Sequence, residues 1–96
     1  MIEISIRFFA SLAEKIGERE TTVLLEDKSS VLDLFNKLKQ KYGESFQHII
    51  FQSDGNIKKT HTILLNEKSI HEQNIKEIQL KNDDIIAFLP PVSGGY

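Results

Sequence analysis

Cysteine is absent from all 96 residues of the chain. A disulfide framework, a thiolate zinc site and a cysteine nucleophile are therefore excluded. An excess of charge of one sign is also missing, since 12 lysines and arginines are interspersed with 14 aspartates and glutamates and the net charge is −2. Nucleic-acid binders draw much of their affinity from neutralising phosphates, so this balance argues against a nucleic-acid partner.

Long apolar runs are missing as well, and no segment approaches the roughly 20 residues of a membrane-spanning helix. The sequence opens Met1-Ile2-Glu3, without the basic and apolar regions of a secretory signal. We therefore expect a cytoplasmic protein that does not bind a membrane. The histidines His48, His61 and His71 are widely spaced, which favours surface or strand positions over a metal site.

Alternating apolar residues predict the strands of a single domain. The length suits one domain with one core. The first alternation has Ile2, Ile4, Ile6 and Phe8 on one face. We expect Phe8, Phe9, Phe35 and Phe88 to lie in the core, and any of them that stays exposed on the sheet would be a candidate for a partner surface. Further strands are predicted from β-branched or alternating segments at Thr21–Glu26, His61–Asn66 and Ile85–Leu89.

The main helix is predicted from Val31 to Tyr42. One face of that segment carries the apolar stripe of Val31, Leu34, Phe35, Leu38 and Tyr42. Ser30 is a candidate N-cap with Asp33 three residues later, and Gly43 is a candidate C-terminal stop. A short helix with Leu12, Ala13 and Ile16 on one face is predicted before Gly17.

The remaining segments complete an α+β layout. Residues 43–59 give no clear pattern, because Phe46 and its apolar neighbours suit either a short helix or a strand. Asn66-Glu67-Lys68 predicts a hairpin turn with a return strand at Ser69-Ile70, and Asn82-Asp83-Asp84 predicts another turn. The order is strand, short helix, strand, long helix and three strands, which indicates a mixed sheet covered by one main helix.

The end of the sequence predicts an extended tail. Pro90-Pro91 must end the last strand, because proline lacks the backbone N–H that a sheet needs. Consecutive prolines also make a stiff, extended stalk. Gly94-Gly95 then gives a thin segment without side chains, suited to a narrow channel in another protein. We therefore predict a domain at residues 1–90 and a tail at residues 91–96.

This ending resembles that of a known family. Phe88-Leu89-Pro90-Pro91-Val92-Ser93-Gly94-Gly95 is similar to the C-terminus of the MoaD-like sulfur carriers, the small subunits of molybdopterin synthase, which are relatives of ThiS and ubiquitin. Similarity extends to Ile4–Ala10, to Val31–Leu38 and to Asn82–Phe88. The resemblance implies a β-grasp (ubiquitin-like) fold.

The resemblance also implies a chemistry for the tail. The carboxylate of Gly95 would be adenylated by an E1-like, MoeB-like enzyme that uses ATP, and a sulfur donor would convert it to a thiocarboxylate. The tail of Pro90, Pro91, Val92, Ser93 and Gly94 would enter a MoaE-like large subunit, which transfers the sulfur to a pterin precursor. The chain would then have no active site and no bound cofactor of its own.

Tyr96 departs from the family pattern, in which active members end at the second glycine. The interpretation therefore includes a peptidase that removes Tyr96. Three alternatives stay open: sulfur carriage for thiamine or transfer-RNA thiolation, a ubiquitin-like modifier that forms isopeptide bonds through Gly95, and a purely structural binding module. Pro90-Pro91 favours the pterin branch among the sulfur pathways.

Overall fold

Eight elements form the fold in the computed structural model, which describes residues 1–71 and 75–91. In chain order they are β1 (Ile2–Phe8), α1 (Ser11–Ile16), β2 (Glu20–Leu25), α2 (Val31–Tyr42), α3 (Glu44–Ile50), β3 (Thr62–Leu65), β4 (Lys68–Ser69) and β5 (Ile85–Leu89). The strands form one sheet in the order β2-β1-β5-β3-β4. The last strand of the chain therefore lies in the middle of the sheet, between β1 and β3.

Strands β1 and β5 are parallel to each other, and the other neighbouring pairs are antiparallel. Every second residue of β1 from Ile2 to Phe8 is buried, as the alternation predicts. Ile86 and Phe88 of β5 face the same side and are also buried. The mixed sheet with one main helix confirms the predicted α+β layout.

Helix α2 begins with the predicted cap and ends at the predicted glycine. The Asp33 backbone N–H donates to Ser30 Oγ at 3.2 Å, and the Ser30 backbone N–H donates to Asp33 Oδ2 at 2.9 Å. This reciprocal pair satisfies two donors that a helix start leaves without partners. Gly43 follows α2 with a φ of 70°, a value that favours glycine. The helix buries Val31, Leu34, Phe35 and Leu38.

The segment that the sequence left unassigned contains a second helix against the core. Helix α3 starts directly after Gly43 and buries Phe46 and Ile50. The next residue, Phe51, is extended and buried. Helix α3 packs against both α1 and α2.

Three strands differ from the prediction by one residue at their ends. Strands β2 (Glu20–Leu25) and β4 (Lys68–Ser69) each lie one residue earlier than predicted, and β3 (Thr62–Leu65) is one residue shorter at each end. The hairpin turn between β3 and β4 has Asn66 at φ 48° and Glu67 at φ 73°. Two consecutive residues with positive φ match the twist of a tight hairpin.

Removal of residues 92–96 is expected to leave the stability of the domain unchanged. The buried cluster of the described residues ends in sequence at Phe88, so truncation after Pro91 removes none of its members. Thermal unfolding followed by circular dichroism should give melting temperatures within about 3 °C of each other for the truncated and complete chains. A loss of about 10 °C or more would place the domain boundary beyond residue 91.

Candidate functional site

The root of the predicted tail lies at the end of β5, the middle strand of the sheet. Pro90 and Pro91 follow β5 directly, and the strand ends at Leu89 as the prolines predict. The Phe88 ring, only 1% exposed, has its centroid 5.3 Å from that of Phe8. The Phe9 backbone N–H donates to the Phe88 carbonyl at 3.1 Å and extends the parallel pairing by one residue. A buried ring and two paired neighbours therefore fix the point where the tail begins.

The other tail residues predicted from the sequence lie outside the described residues. These are Val92, Ser93, Gly94 and Gly95, together with Tyr96. The site is therefore built here from the surfaces that surround Pro90 and Pro91, and the roles of the five terminal residues remain predictions.

An apolar surface lies on the side of the sheet opposite the helices. We call it the open sheet face; its apolar members are Phe9, Leu64, Ile85, Ala87 and Leu89, and they line a depression of about 420 Å³. Leu64 pairs with Ala87 across the β3–β5 ladder, which places both side chains on this face. Apolar residues grouped on one accessible face make this surface a candidate for protein–protein contact.

Phe9 belongs to the open sheet face, and the prediction that it lies in the core is wrong. Its side chain is 45% exposed, whereas Phe8, Phe35 and Phe88 are buried as predicted. The alternation of β1 contains the signal, because a residue next to the buried Phe8 points to the opposite side of the sheet. An exposed aromatic ring therefore stands beside the strand that leads into the tail.

A second surface, the tail-root groove, lies on the helix side of the same end of the sheet. Its volume is about 290 Å³, and the residues that line it are Ser11, Leu12, Lys15, His48, Ile49, Lys58, His61, Pro90 and Pro91. Helices α1 and α3 supply one wall each, and the segment before β3 supplies the third. The structure thus brings His48 and His61 to one groove, although 12 residues separate them in the sequence; His71 does not line it.

The pKa of His61 is shifted by its surroundings in the tail-root groove. Partial burial of the ring, followed by the positive charges of Lys58 and Lys15, lowers the pKa of His61 below its ordinary value of 6.5. Both effects disfavour the protonated imidazolium. At pH 7 the ring is therefore neutral, and the two lysines supply the positive charge of the groove.

The pKa of His61 is expected to rise toward 6.5 when Lys58 is replaced by glutamine, because one repelling charge is removed. An NMR titration of the His61 ring protons in both forms measures this change. The folded state holds the neutral ring, so its contribution to stability is present above pH 6.5 and decreases as the pH falls toward the lower folded pKa. A His61 pKa at or above 6.5 in the unmodified chain would contradict the described environment.

No polar or charged residue among residues 1–71 and 75–91 is buried. In that same part of the chain no three histidine, aspartate or glutamate side chains are grouped so that they could hold a metal ion. No helix there has both the length and the apolar character needed to cross a membrane.

Comparison with known families identifies one match, and it covers most of the chain. The model described as the ThiS family matches residues 6–95. The matched region contains β1 from Ile6 onward, the rest of the domain and both glycines of the tail, and it stops one residue before Tyr96.

Two relatives of similar length carry modifier names. Small archaeal modifier protein 3 of Haloferax volcanii is 27% identical over 94 residues, which is 98% of this chain and 100% of the relative. The solution structure of small archaeal modifier protein 1 from Methanosarcina acetivorans is 32% identical, covers 99% of this chain and 98% of its own, and has a TM-score of 0.75.

Other solved structures show the same architecture. The crystal structure of SAMP1 from Haloferax volcanii has a TM-score of 0.84 at 26% identity, and the alignment covers 97% of this chain and 99% of that one. A complex of subunits 1 and 2 of the molybdopterin-converting factor from Helicobacter pylori gives a TM-score of 0.65 at 23% identity, with 98% and 100% covered. The predicted β-grasp fold is confirmed, and the last similarity concerns the fold alone.

Proposed function

Because this chain belongs to the ThiS family, we propose that it is a ubiquitin-like protein modifier that acts through the carboxylate of Gly95. An E1-like enzyme adenylates this carboxylate, and the activated chain is then joined to lysine side chains of other proteins. The interpretation from sequence placed molybdopterin synthesis first. Three relatives that are 26–32% identical over nearly their whole length are named as modifiers, whereas the molybdopterin-converting factor is only 23% identical, so the modifier role takes precedence here.

The observation that carries the proposal is the placement of Pro90-Pro91 at the end of β5. This strand lies in the middle of the sheet, and its last inward ring, Phe88, is held by Phe8, Phe35 and Phe46. Proline has a fixed φ, so the chain direction set by β5 carries over into Pro90 and Pro91. Gly94 and Gly95 follow within four residues, which suits delivery of a terminus into another protein.

The chemistry needs nothing from the chain except its terminal carboxylate. A carboxylate oxygen of Gly95 attacks the α-phosphorus of ATP, pyrophosphate leaves, and an acyl-adenylate forms. A carboxylate is a poor electrophile, whereas the acyl-adenylate has AMP as a good leaving group. The ε-amine of a lysine then attacks the acyl carbon, AMP leaves, the amine loses a proton, and an isopeptide bond to Gly95 results.

Tyr96 must be removed before this chemistry begins. As long as the peptide bond between Gly95 and Tyr96 is intact, Gly95 has no carboxylate to activate. The proposal therefore includes a peptidase that cleaves this bond. The family match that ends at Gly95 supports a boundary at this position.

Sulfur carriage through the same glycine is the second candidate function. The name of the ThiS family favours it, since ThiS is a sulfur carrier in the resemblance described from sequence. In this case hydrosulfide, as the sulfur donor, attacks the acyl carbon of the adenylate, AMP leaves, the sulfur loses its proton, and Gly95 ends in a thiocarboxylate. A MoaE-like large subunit would be the acceptor in the molybdopterin branch, and thiamine or transfer-RNA thiolation would use others.

The two candidates share adenylation and differ in its product. An N-terminally tagged chain, expressed in its own source organism, is expected to give a ladder of high-mass conjugates on an immunoblot of denatured lysate. A matched variant without Gly94 and Gly95 should give none. A free chain whose mass reflects one sulfur in place of oxygen, without conjugates, would support the second candidate. The absence of both conjugates and thiocarboxylate would favour a structural binding module.

A further inference from the structure

The tail-root groove combines positive charge with a position beside the tail. Lys15 of α1, Lys58, and the rings of His48 and His61 line it, and none of its nine lining residues is acidic. The chain as a whole has a net charge of −2, so the groove is a local concentration of positive charge on an acidic protein. Neither lysine takes part in the ion pairs of the described residues, which join Met1 to Asp27 and Arg7 to Glu20.

We propose that the tail-root groove binds an acidic peptide segment on the protein that receives the tail, next to the entrance of its glycine channel. This inference rests on the proposed function, because it assumes that another protein grips Gly95. On this proposal the partner carries carboxylates that contact Lys15 and Lys58 while its channel holds the tail.

The short tail limits how far a partner that binds Gly95 can lie from the groove. A chain spans at most about 3.5 Å per residue, so Gly95 lies within roughly 14 Å of Pro91. A protein that encloses Gly95 must therefore have its surface close to Pro91, and Pro90 and Pro91 form part of the groove wall. The groove therefore lies near the rim of the channel whenever the tail is held, and its charge then acts on that rim.

Acidic side chains of a partner fit the groove better than a free phosphate does. The two lysines come from α1 and from the segment before β3, and they share a groove of about 290 Å³. The α-phosphate of ATP reacts at Gly95, four residues beyond Pro91. The acidic residues of α1 and α3, Glu14 and Glu44, do not line the groove. A peptide with several carboxylates can contact both lysines at once.

The charge of the groove at pH 7 comes from the lysines. His61 is neutral there for the reasons given above, and it contributes a hydrogen-bonding ring and a partly apolar wall. Charge complementarity of this kind affects mainly the rate of association and its dependence on salt. The acidic segment would therefore orient the domain so that Pro91 faces the channel before the tail enters.

The test is an NMR titration of the ¹⁵N-labelled chain with a hexaglutamate peptide at low salt. Saturable shift changes are expected at Lys15, His48, Lys58 and His61. The double variant Lys15→Glu, Lys58→Glu should bind the peptide roughly tenfold more weakly or not at all, since two exposed ion pairs are each worth up to about 1 kcal/mol. The backbone N–H of Lys58, which donates to the Ile50 carbonyl at 2.9 Å, is unaffected by the change.

A matched control carries the same change of charge elsewhere. Lys37→Glu on the exposed face of α2, combined with Lys81→Glu before β5, alters the net charge equally and lies outside the groove. This control should bind the peptide as the unmodified chain does, within about twofold. Equal binding by both double variants, or shift changes spread evenly over the surface lysines, would overturn the proposal.

A second titration, with inorganic phosphate, separates a peptide site from a free-anion site. Saturation of the same residues by phosphate at lower concentration than by hexaglutamate would overturn the proposal. Both titrations are independent of adenylation, so loss of conjugates from the unmodified chain would refute the proposed function without affecting this result. With the activating enzyme, the groove variant should raise KM and leave kcat unchanged.

Discussion

Replacement of Phe88 by alanine is expected to lower the free energy of unfolding by about 3–5 kcal/mol. The Phe88 ring contacts three other rings, with centroid distances of 5.3 Å to Phe8, 5.7 Å to Phe46 and 5.9 Å to Phe35. Loss of the ring leaves a cavity among α2, α3 and the sheet that rigid neighbours cannot fill. Small domains are stable by only about 5–15 kcal/mol, so this loss is a large share of the total.

Phe9→Ala is the matched control, because it removes the same side chain from the open sheet face. A ring that is 45% exposed should cost about 1 kcal/mol or less when truncated. Urea denaturation of both variants measures the difference. Similar losses of unfolding free energy in the two variants would mean that the assignment of Phe88 to the buried side of the sheet and of Phe9 to the open sheet face is wrong.

The length of the tail is expected to decide whether the chain is adenylated at all. Three forms, ending at Gly94, Gly95 and Tyr96, are to be compared in ATP–pyrophosphate exchange with the activating enzyme from the same source. Only the form ending at Gly95 should exchange at full rate. Reacting atoms must lie at near-attack distance, and a misplacement of about 1 Å can cost roughly 100-fold in rate. One residue moves the carboxylate by up to about 3.5 Å.

The form ending at Gly94 is the control for a simple steric effect of Tyr96. If only bulk mattered, the shorter form would react, whereas the length argument predicts that both altered forms fail. Equal exchange by the Tyr96 and Gly95 forms would contradict the requirement for a peptidase. Activity of the Gly94 form would show that adenylation does not depend on the number of residues between Pro91 and the terminal carboxylate.

The sequence was informative wherever one local rule acted alone. The capping box of Ser30 and Asp33 and the end of β5 at Pro90 depend on neighbouring residues only, and both were predicted correctly. Helix α3 was not assigned, because a short apolar run such as Phe46 to Phe51 suits a helix or a strand equally well. Contact with α1 and the core selects the helix, and that contact is tertiary.

The tail-root groove could not be predicted from sequence for a related reason. Lys15, His48 and Lys58 come from three segments that are far apart along the chain and meet only because α3 packs against α1. The exposure of Phe9, in contrast, was available from the alternation of β1. The aromatic character of Phe9 was given more weight than its position, and that interpretation was wrong.

The most direct test of the modifier function is the chemical identity of the bond to the target protein. Lys81 is the last residue before the tail after which trypsin cleaves, so a conjugate should leave a branch of residues 82–95 on the modified lysine. Tandem mass spectrometry of trypsin-digested conjugates is expected to show this branch, with Gly95 bonded to the lysine ε-nitrogen. A branch that ends at another residue, or a chain found only as a free thiocarboxylate, would contradict the account.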